Sequence, residues 1–213
     1  MTVLSVENLT KSYGSHTVLK DFNVDLNPNE ITLIMGPSGC GKSTLLNIVG
    51  LLDTYDKGDV FLFGKSAPKP FSSKATRLLR DKIGYLFQNY ALVDQKSVKY
   101  NLMIALEHVK GNKKAMIDEA LTKVGLKGFE NKKIFECSGG EQQRIAVARL
   151  LLKPCELVLC DEPTGSLDGN NKQTVLDLLL MLKNQGKTLV IVTHDDDLKE
   201  IADNIIRMDV LNP

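Results

Sequence analysis

One stretch constrains this chain more than any other: Gly36-Pro37-Ser38-Gly39-Cys40-Gly41-Lys42-Ser43. It matches G-x-x-x-x-G-K-[ST], the pattern of a phosphate-binding loop. The apolar run Ile31-Thr32-Leu33-Ile34-Met35 ahead of it predicts a buried strand, and Thr44-Leu45-Leu46-Asn47-Ile48-Val49 behind it predicts the start of a helix. Glycines let the backbone curl so that successive N–H groups face one anion. The helix start adds unpaired N–H groups and a partial positive charge. Lys42 brings a full charge toward the β and γ phosphates of a nucleotide, and Ser43 brings a hydroxyl for Mg²⁺.

The bulk numbers fit an ordinary globular chain. Its 213 residues are 43% hydrophobic, enough for one domain with a sizeable core. A net charge of +1 gives no sign of broad attraction to nucleic acid. No apolar run is long enough to span a bilayer, and Met1-Thr2-Val3-Leu4-Ser5-Val6-Glu7 lacks the pattern of a secretory signal. The expected location is therefore cytoplasmic, with any membrane role needing a partner. Cys40, Cys137, Cys155 and Cys160 form no CxxC pair and read as reduced thiols.

The N-terminal part predicts an antiparallel β region. Val3 to Val6 reads as a strand, Lys11 to Gly14 as a turn, and His16 to Leu19 and Phe22 to Leu26 as two further strands. Tyr13 offers an aromatic face for a base, though such a residue more often packs. Asp59 to Phe63 and Ile83 to Phe87 predict strands, with the basic segment Lys74 to Lys82 a helix between them. From Ser97 to Val124 the pattern is helical, with Leu102, Ala105, Leu106 and Val109, then Met116, Ala120, Leu121 and Val124, at helical spacing. Gly111-Asn112 breaks this block into two helices, which read as a subdomain inserted between strands.

Ser138-Gly139-Gly140-Glu141 precedes a helix from Gln142 to Leu152. Ser138 as N-cap and Glu141 three residues on form a capping box, and the same N–H groups offer a second anion site. Leu157-Val158-Leu159-Cys160-Asp161-Glu162 predicts a buried strand ending in two carboxylates, a placement suited to Mg²⁺ chemistry at the carboxyl edge of a parallel sheet. Asp161 is the candidate metal residue and Glu162 the candidate activator of water. A helix over Asn171 to Asn184 leads to the apolar strand Thr188 to Thr193, which ends at His194. A lone histidine is usually structural, but this one ends a core strand as the two acids do.

Taken together, these residues resemble the ATP-binding-cassette ATPases over essentially the whole chain. The resemblance rests on Tyr13, Gly36 to Ser43, Gln88, Ser138-Gly139-Gly140-Glu141-Gln142, Leu157 to Glu162 and His194, in the family's order. It implies an α/β fold: a P-loop NTPase core with a mixed or parallel sheet, an N-terminal antiparallel β subdomain and an inserted helical subdomain at about residues 89–150. Residues 1–213 then form a single nucleotide-binding domain.

The resemblance also implies roles. ATP and Mg²⁺ are the expected cofactors. Tyr13, Gly36, Pro37, Ser38, Gly39, Cys40, Gly41, Lys42, Ser43 and Thr44 hold the nucleotide from one subunit. Ser138, Gly139, Gly140 and Glu141 hold it from a second copy facing head to tail, with Ser166-Leu167-Asp168 at the contact. Ser43, Gln88 and Asp161 serve the metal, and Glu162, His194 and Gln88 serve hydrolysis. Gln88 to Leu92 links to an integral membrane permease, with Tyr90 and Leu92 as its apolar contacts. The chain is then peripheral on the inner face of the membrane. One departure is Cys137-Ser138-Gly139-Gly140-Glu141, where the common form is Leu-Ser-Gly-Gly-Gln.

Gly50-Leu51-Leu52-Asp53 and Asp161 to Asp168 look like the lipoprotein-release and macrolide-export branch. Small members of that branch serve bacteriocin or antimicrobial-peptide export, the favoured substrate class. The alternative is a mechanotransmission ATPase that works a membrane partner without moving a substrate. A soluble relative acting on DNA or ribosomes fits less well, because the chain has one cassette and no long insertion between Gln88 and Ser138.

Overall fold

The structure, a computed structural model, describes residues 2–165 and 169–210. Ser166-Leu167-Asp168, the expected partner-contact loop, lies outside the described residues. The elements run β1 (Leu4–Tyr13), β2 (His16–Leu26), β3 (Ile31–Met35), α1 (Lys42–Val49), β4 (Lys57–Leu62), β5 (Lys65–Ser66), α2 (Ser73–Asp81) and β6 (Ile83–Leu86). There follow α3 (Val98–Ala105), α4 (Lys113–Lys123), α5 (Gly139–Leu152), β7 (Leu157–Asp161), α6 (Gly169–Asn184), β8 (Thr188–Thr193) and β9 (Asn204–Arg207).

Two separate sheets carry the fold. One is antiparallel, in the order β2-β1-β4-β5, and the other is parallel, in the order β6-β7-β8-β3-β9. The core sheet is thus parallel, not mixed, because the antiparallel strands pair only among themselves. Strands β3, β6, β7 and β8 are buried on both faces, which explains their apolar runs, whereas the edge strand β9 is largely exposed. In β3, Ile31 and Leu33 join the core on the helical-subdomain side, while Ile34 joins the core under the antiparallel sheet. Leu189 and Ile191 of β8 face one way and Val190 and Val192 the other.

The N-terminal expectation needs two corrections. Lys11 to Tyr13 belongs to β1, and the turn falls on Gly14 and Ser15. His16 to Leu26 is one strand rather than two. The polar pair Lys20-Asp21 looks like a break, but the pairing shifts there: Leu9 faces Phe22 while Lys11 faces Leu19. Asp21 has φ 47°, and its N–H donates to the Thr10 hydroxyl at 3.3 Å. A bulge absorbs the extra residues without ending the strand.

The block forms two helices, but α3 ends at Ala105, so Leu106 caps it and Val109 lies beyond it rather than on its face. Ser97, Asn112 and Ser138 cap α3, α4 and α5, each accepting from an N–H three residues on. Leu102, Leu106, Ile117, Leu121 and Ile145 share the core that continues to the parallel sheet. Burial of such side chains stabilises by about 1.5–3 kcal/mol each, enough to hold the inserted helices on the sheet.

Candidate active site

β3, β8 and β7 are adjacent and parallel, so their carboxyl ends open onto one edge. Met35 pairs with Thr193, and Asp161 with Val192. The phosphate-loop motif, Asp161-Glu162 and His194 therefore meet there, at the edge where open α/β sheets bind ligands.

The loop is tightly seated. A Cβ on Gly36 would lie 2.2 Å from the Met208 carbonyl oxygen, so only glycine fits beside the end of β9. Gly41 has φ 97° and its Cβ would press on Val18 and Leu19 at 2.9 Å. Gly41 begins α1 with no side-chain cap, which leaves the first N–H groups of the helix turned to the loop. The Lys42 ammonium is buried and donates to the carbonyl oxygens of Gly36 at 2.7 Å and Pro37 at 3.0 Å. Ser43 donates its hydroxyl hydrogen to Asp161 Oδ1 at 3.1 Å. Burial pushes the Asp161 carboxyl upward from its ordinary value, and the Glu162 charge adds to this against the Ser43 hydrogen bond.

Glu162 stands in the left-handed region at φ 46°, a costly place for a residue with a long side chain. Its carboxylate accepts from the Thr193 hydroxyl at 3.1 Å and lies 2.9 Å from His194 Nδ1. The carboxylate is 15% exposed and the imidazole 66%, so the histidine is the outer of the two. Asp195 braces them. It accepts from the Thr164 hydroxyl at 2.6 Å and from the Lys172 ammonium at 2.9 Å, and its N–H donates to Thr193 at 3.0 Å.

Tyr13 is half exposed beside α1. Its hydroxyl donates to Asp53, and the Lys11 ammonium lies 4.6 Å from the ring centre over one face. Lys11 also pairs with Asp53 at 3.2 Å. The Asp53 carboxylate, with burial and Thr44 acting as lesser influences, pushes the Tyr13 phenol upward. Burial alone would raise Asp53, but Tyr13, the Thr54 N–H and Lys11 together hold it below its ordinary value.

Ser138, Gly139, Gly140 and Glu141 form the start of α5, and among the described residues no hydrogen bond joins them to residues 36–44. The Glu141 carboxylate turns back to accept from the Ser138 N–H at 2.8 Å and from Lys132 at 3.0 Å. Ser138 accepts from the Glu141 N–H, completing the capping box. The unusual glutamate is thus engaged within its own subunit. Gly140 packs against Asn171 at the start of α6, where a Cβ would come within 2.8 Å.

Gln88 is exposed on the turn after β6. Beyond it Tyr90 and Ala91 have φ 62° and 46°. Tyr90 and Leu92 are half-buried and pack against the helical core, which leaves only part of each side chain to a partner. Beside them lies a groove of about 430 Å³ whose lining includes Leu79, Phe87, Ala91, Ile104 and Arg149. Arg149 was not singled out in the sequence. Its guanidinium donates to the carbonyl oxygens of Ala91 at 2.7 Å and Tyr90 at 2.8 Å. The signal for it was a lone cation in the apolar second half of α5. Lys11 and Asp53 were also missed as partners of Tyr13.

Comparison with known proteins shows the family. The ABC transporter family model matches residues 19–165. The lipoprotein-releasing system ATP-binding protein LolD of Bacteroides thetaiotaomicron is 39% identical over 97% of this chain and 96% of its own length. The macrolide export ATP-binding/permease protein MacB of Mannheimia succiniciproducens is 35% identical over 98% of this chain, which spans only 33% of that protein. A dimeric post-hydrolysis structure of the ATP-binding cassette MJ0796, bound to ADP and Pi, superposes with a TM-score of 0.88 at 33% identity, covering 98% of this chain and 97% of that one. The chain belongs to the ABC transporter family, as one of its ATP-hydrolysing cassettes.

Proposed function

We propose that this ATPase energises a membrane exporter from the cytoplasmic face, as a head-to-tail pair of copies with ATP between them. Each nucleotide lies between the loop of one copy and Ser138, Gly139 and Gly140 of the other. Tyr13 takes one face of the adenine, since Lys11 covers the opposite face of its ring. Lys42 exchanges the carbonyls of Gly36 and Pro37 for phosphate oxygens.

The donor set fits Mg²⁺. Ser43 and Asp161 bring a hydroxyl and a carboxylate together, and Gln88, exposed on the turn after β6, would add an amide oxygen. So few protein oxygens do not close a cage, which suits an ion that takes its other ligands from phosphate and water. Bound there, the ion would offset phosphate charge. Glu162 orients and deprotonates the attacking water, and His194 holds the γ-phosphate side of the site.

The groove beside Gln88 carries the coupling reading. Its apolar wall ends on Ala91 and Arg149, so a permease helix seated there meets both the Gln88 turn and α5. We favour a bacteriocin or antimicrobial peptide as substrate, within a wider class that includes lipoproteins and drug-like compounds. LolD and MacB are named for lipoprotein release and macrolide export. The test is co-purification of the membrane partner with Ile104→Asp, which places a charge on the half-exposed wall of the groove. The partner is expected to be lost while the isolated chain keeps its ATPase rate. Full retention of the partner overturns the groove assignment.

A further inference from the structure

The basic segment around α2 borders the groove above, but its exposed lysines have no part in the nucleotide site. Between Lys65 and Lys82 lie six basic side chains and one acidic one, a net +5, in a chain whose total is +1, so all other residues together carry −4. Lys65, Lys69, Lys74, Arg77 and Arg80 are exposed. Arg80 and Lys82 are paired, with Asp81 at 2.7 Å and Glu156 at 2.9 Å, and Arg77 reaches Asp81 only at 3.8 Å. Among the described residues Lys65, Lys69 and Lys74 have no carboxylate within ion-pair distance.

Two further features accompany the charge. A concavity of about 550 Å³ lies between the β4–β5 turn and α2, with Phe63 and Leu78 among its apolar residues and Lys65, Lys74, Arg77 and Lys82 among its cations. Beside it Phe71 is 82% exposed, the most exposed of the large apolar side chains described. It stands at φ 61° in a turn closed by Ser72, which donates its hydroxyl hydrogen to the Lys69 carbonyl at 2.7 Å and caps α2 through the Ala75 N–H. The ring is thus held out by a braced turn.

The face also has a direction. Asp81 of α2 lines both this concavity and the groove assigned above to a permease helix. The inference rests on that assignment: a groove turned to a membrane protein puts the adjoining basic face toward the bilayer. We infer that the face built by Lys65, Lys69, Phe71, Lys74 and Arg77 docks on an anionic phospholipid surface. Headgroup phosphates match the unpaired cations, and the acyl boundary takes the Phe71 ring. A nucleic-acid duplex would answer the charges but, with its bases already stacked, leave Phe71 without an apolar partner.

The test is co-sedimentation of the isolated chain with vesicles of phosphatidylcholine alone, or with about a third phosphatidylglycerol. Binding is expected only with the anionic lipid and is expected to weaken with salt. Each neutralised cation should lower the partition about fivefold, so Lys65→Gln, Lys69→Gln and Lys74→Gln together should lower it about a hundredfold. Phe71→Ser should lower it severalfold, and all variants should hydrolyse ATP at the wild-type rate. Equal binding to neutral vesicles, no binding by active wild-type chain, or binding unmoved by the triple change would overturn the inference. So would displacement from the vesicles by short duplex DNA at equal phosphate. If Ile104→Asp keeps the permease while the chain still sediments with anionic vesicles, the lipid face stands and only the groove is reassigned. If the permease co-purifies but the vesicles are not bound, only the lipid face falls.

Discussion

Arg149 spans the gap between α5 and the turn after Gln88 by donating to the carbonyl oxygens of Ala91 and Tyr90, at 2.7 and 2.8 Å. The same helix begins at Ser138, so one rigid rod joins the candidate ATP contact of the opposite copy to the candidate metal-side turn. Burial lowers the Arg149 guanidinium from its ordinary value, yet an arginine at neutral pH keeps its charge.

Arg149→Ala is expected to uncouple the two ends. Losing the fork leaves two carbonyl groups without their donors, a cost of about 1–3 kcal/mol. In a chain of this size each kcal/mol lowers Tm by about 2–4 °C. Basal ATPase should persist while stimulation by the membrane partner is lost. Arg149→Lys should recover stability but little stimulation, because an ammonium does not reproduce the planar fork. Normal stimulation in the alanine variant would remove Arg149 from the coupling path.

Glu162 and His194 should separate by what they impair. Glu162→Gln keeps shape and hydrogen bonding but loses the group that takes the proton from water, so turnover should fall by about 10²–10⁴. ATP should then trap a dimer, seen by light scattering, and adding Ser138→Arg should break it by filling the space for the opposite γ-phosphate. His194→Ala should leave ATP binding near normal and slow hydrolysis, because the contact strengthens only in the transition state. Unchanged turnover in His194→Ala would make the 2.9 Å contact with Glu162 a structural one.

Asp53 is expected to set the angle of the Tyr13 ring through its hydroxyl and through Lys11. Asp53→Ala frees the ring and should raise KM for ATP about five- to tenfold, the worth of one aromatic stack, with little change in kcat. Inhibition by inorganic tripolyphosphate should stay the same, since it uses the loop alone. The folded-state pKa of Asp53 lies below its ordinary value, so the carboxylate keeps its charge well below neutral. The KM ratio of variant to wild type should therefore be equal at pH 6 and pH 8. A parallel loss of tripolyphosphate affinity would show damage to the loop instead.

Features written in neighbouring residues were legible in the sequence. The phosphate-loop motif between Met35 and Thr44, the capping box of Ser138 and Glu141, and the apolar runs of β3, β7 and β8 each follow from local sterics, local hydrogen bonds or burial on both faces. The tertiary structure decided what depends on partners far along the chain. Lys20-Asp21 reads as a strand break until β1 pairs across it and takes up the bulge. Tyr90 and Leu92 carry no mark of facing inward, because positive φ at residues 90 and 91 redirects the chain there. Tyr13 meets Asp53 across 40 residues, and Arg149 meets the Ala91 carbonyl across 58. A single polar side chain that pairs with a distant group leaves no periodic trace, so only the folded chain discloses it.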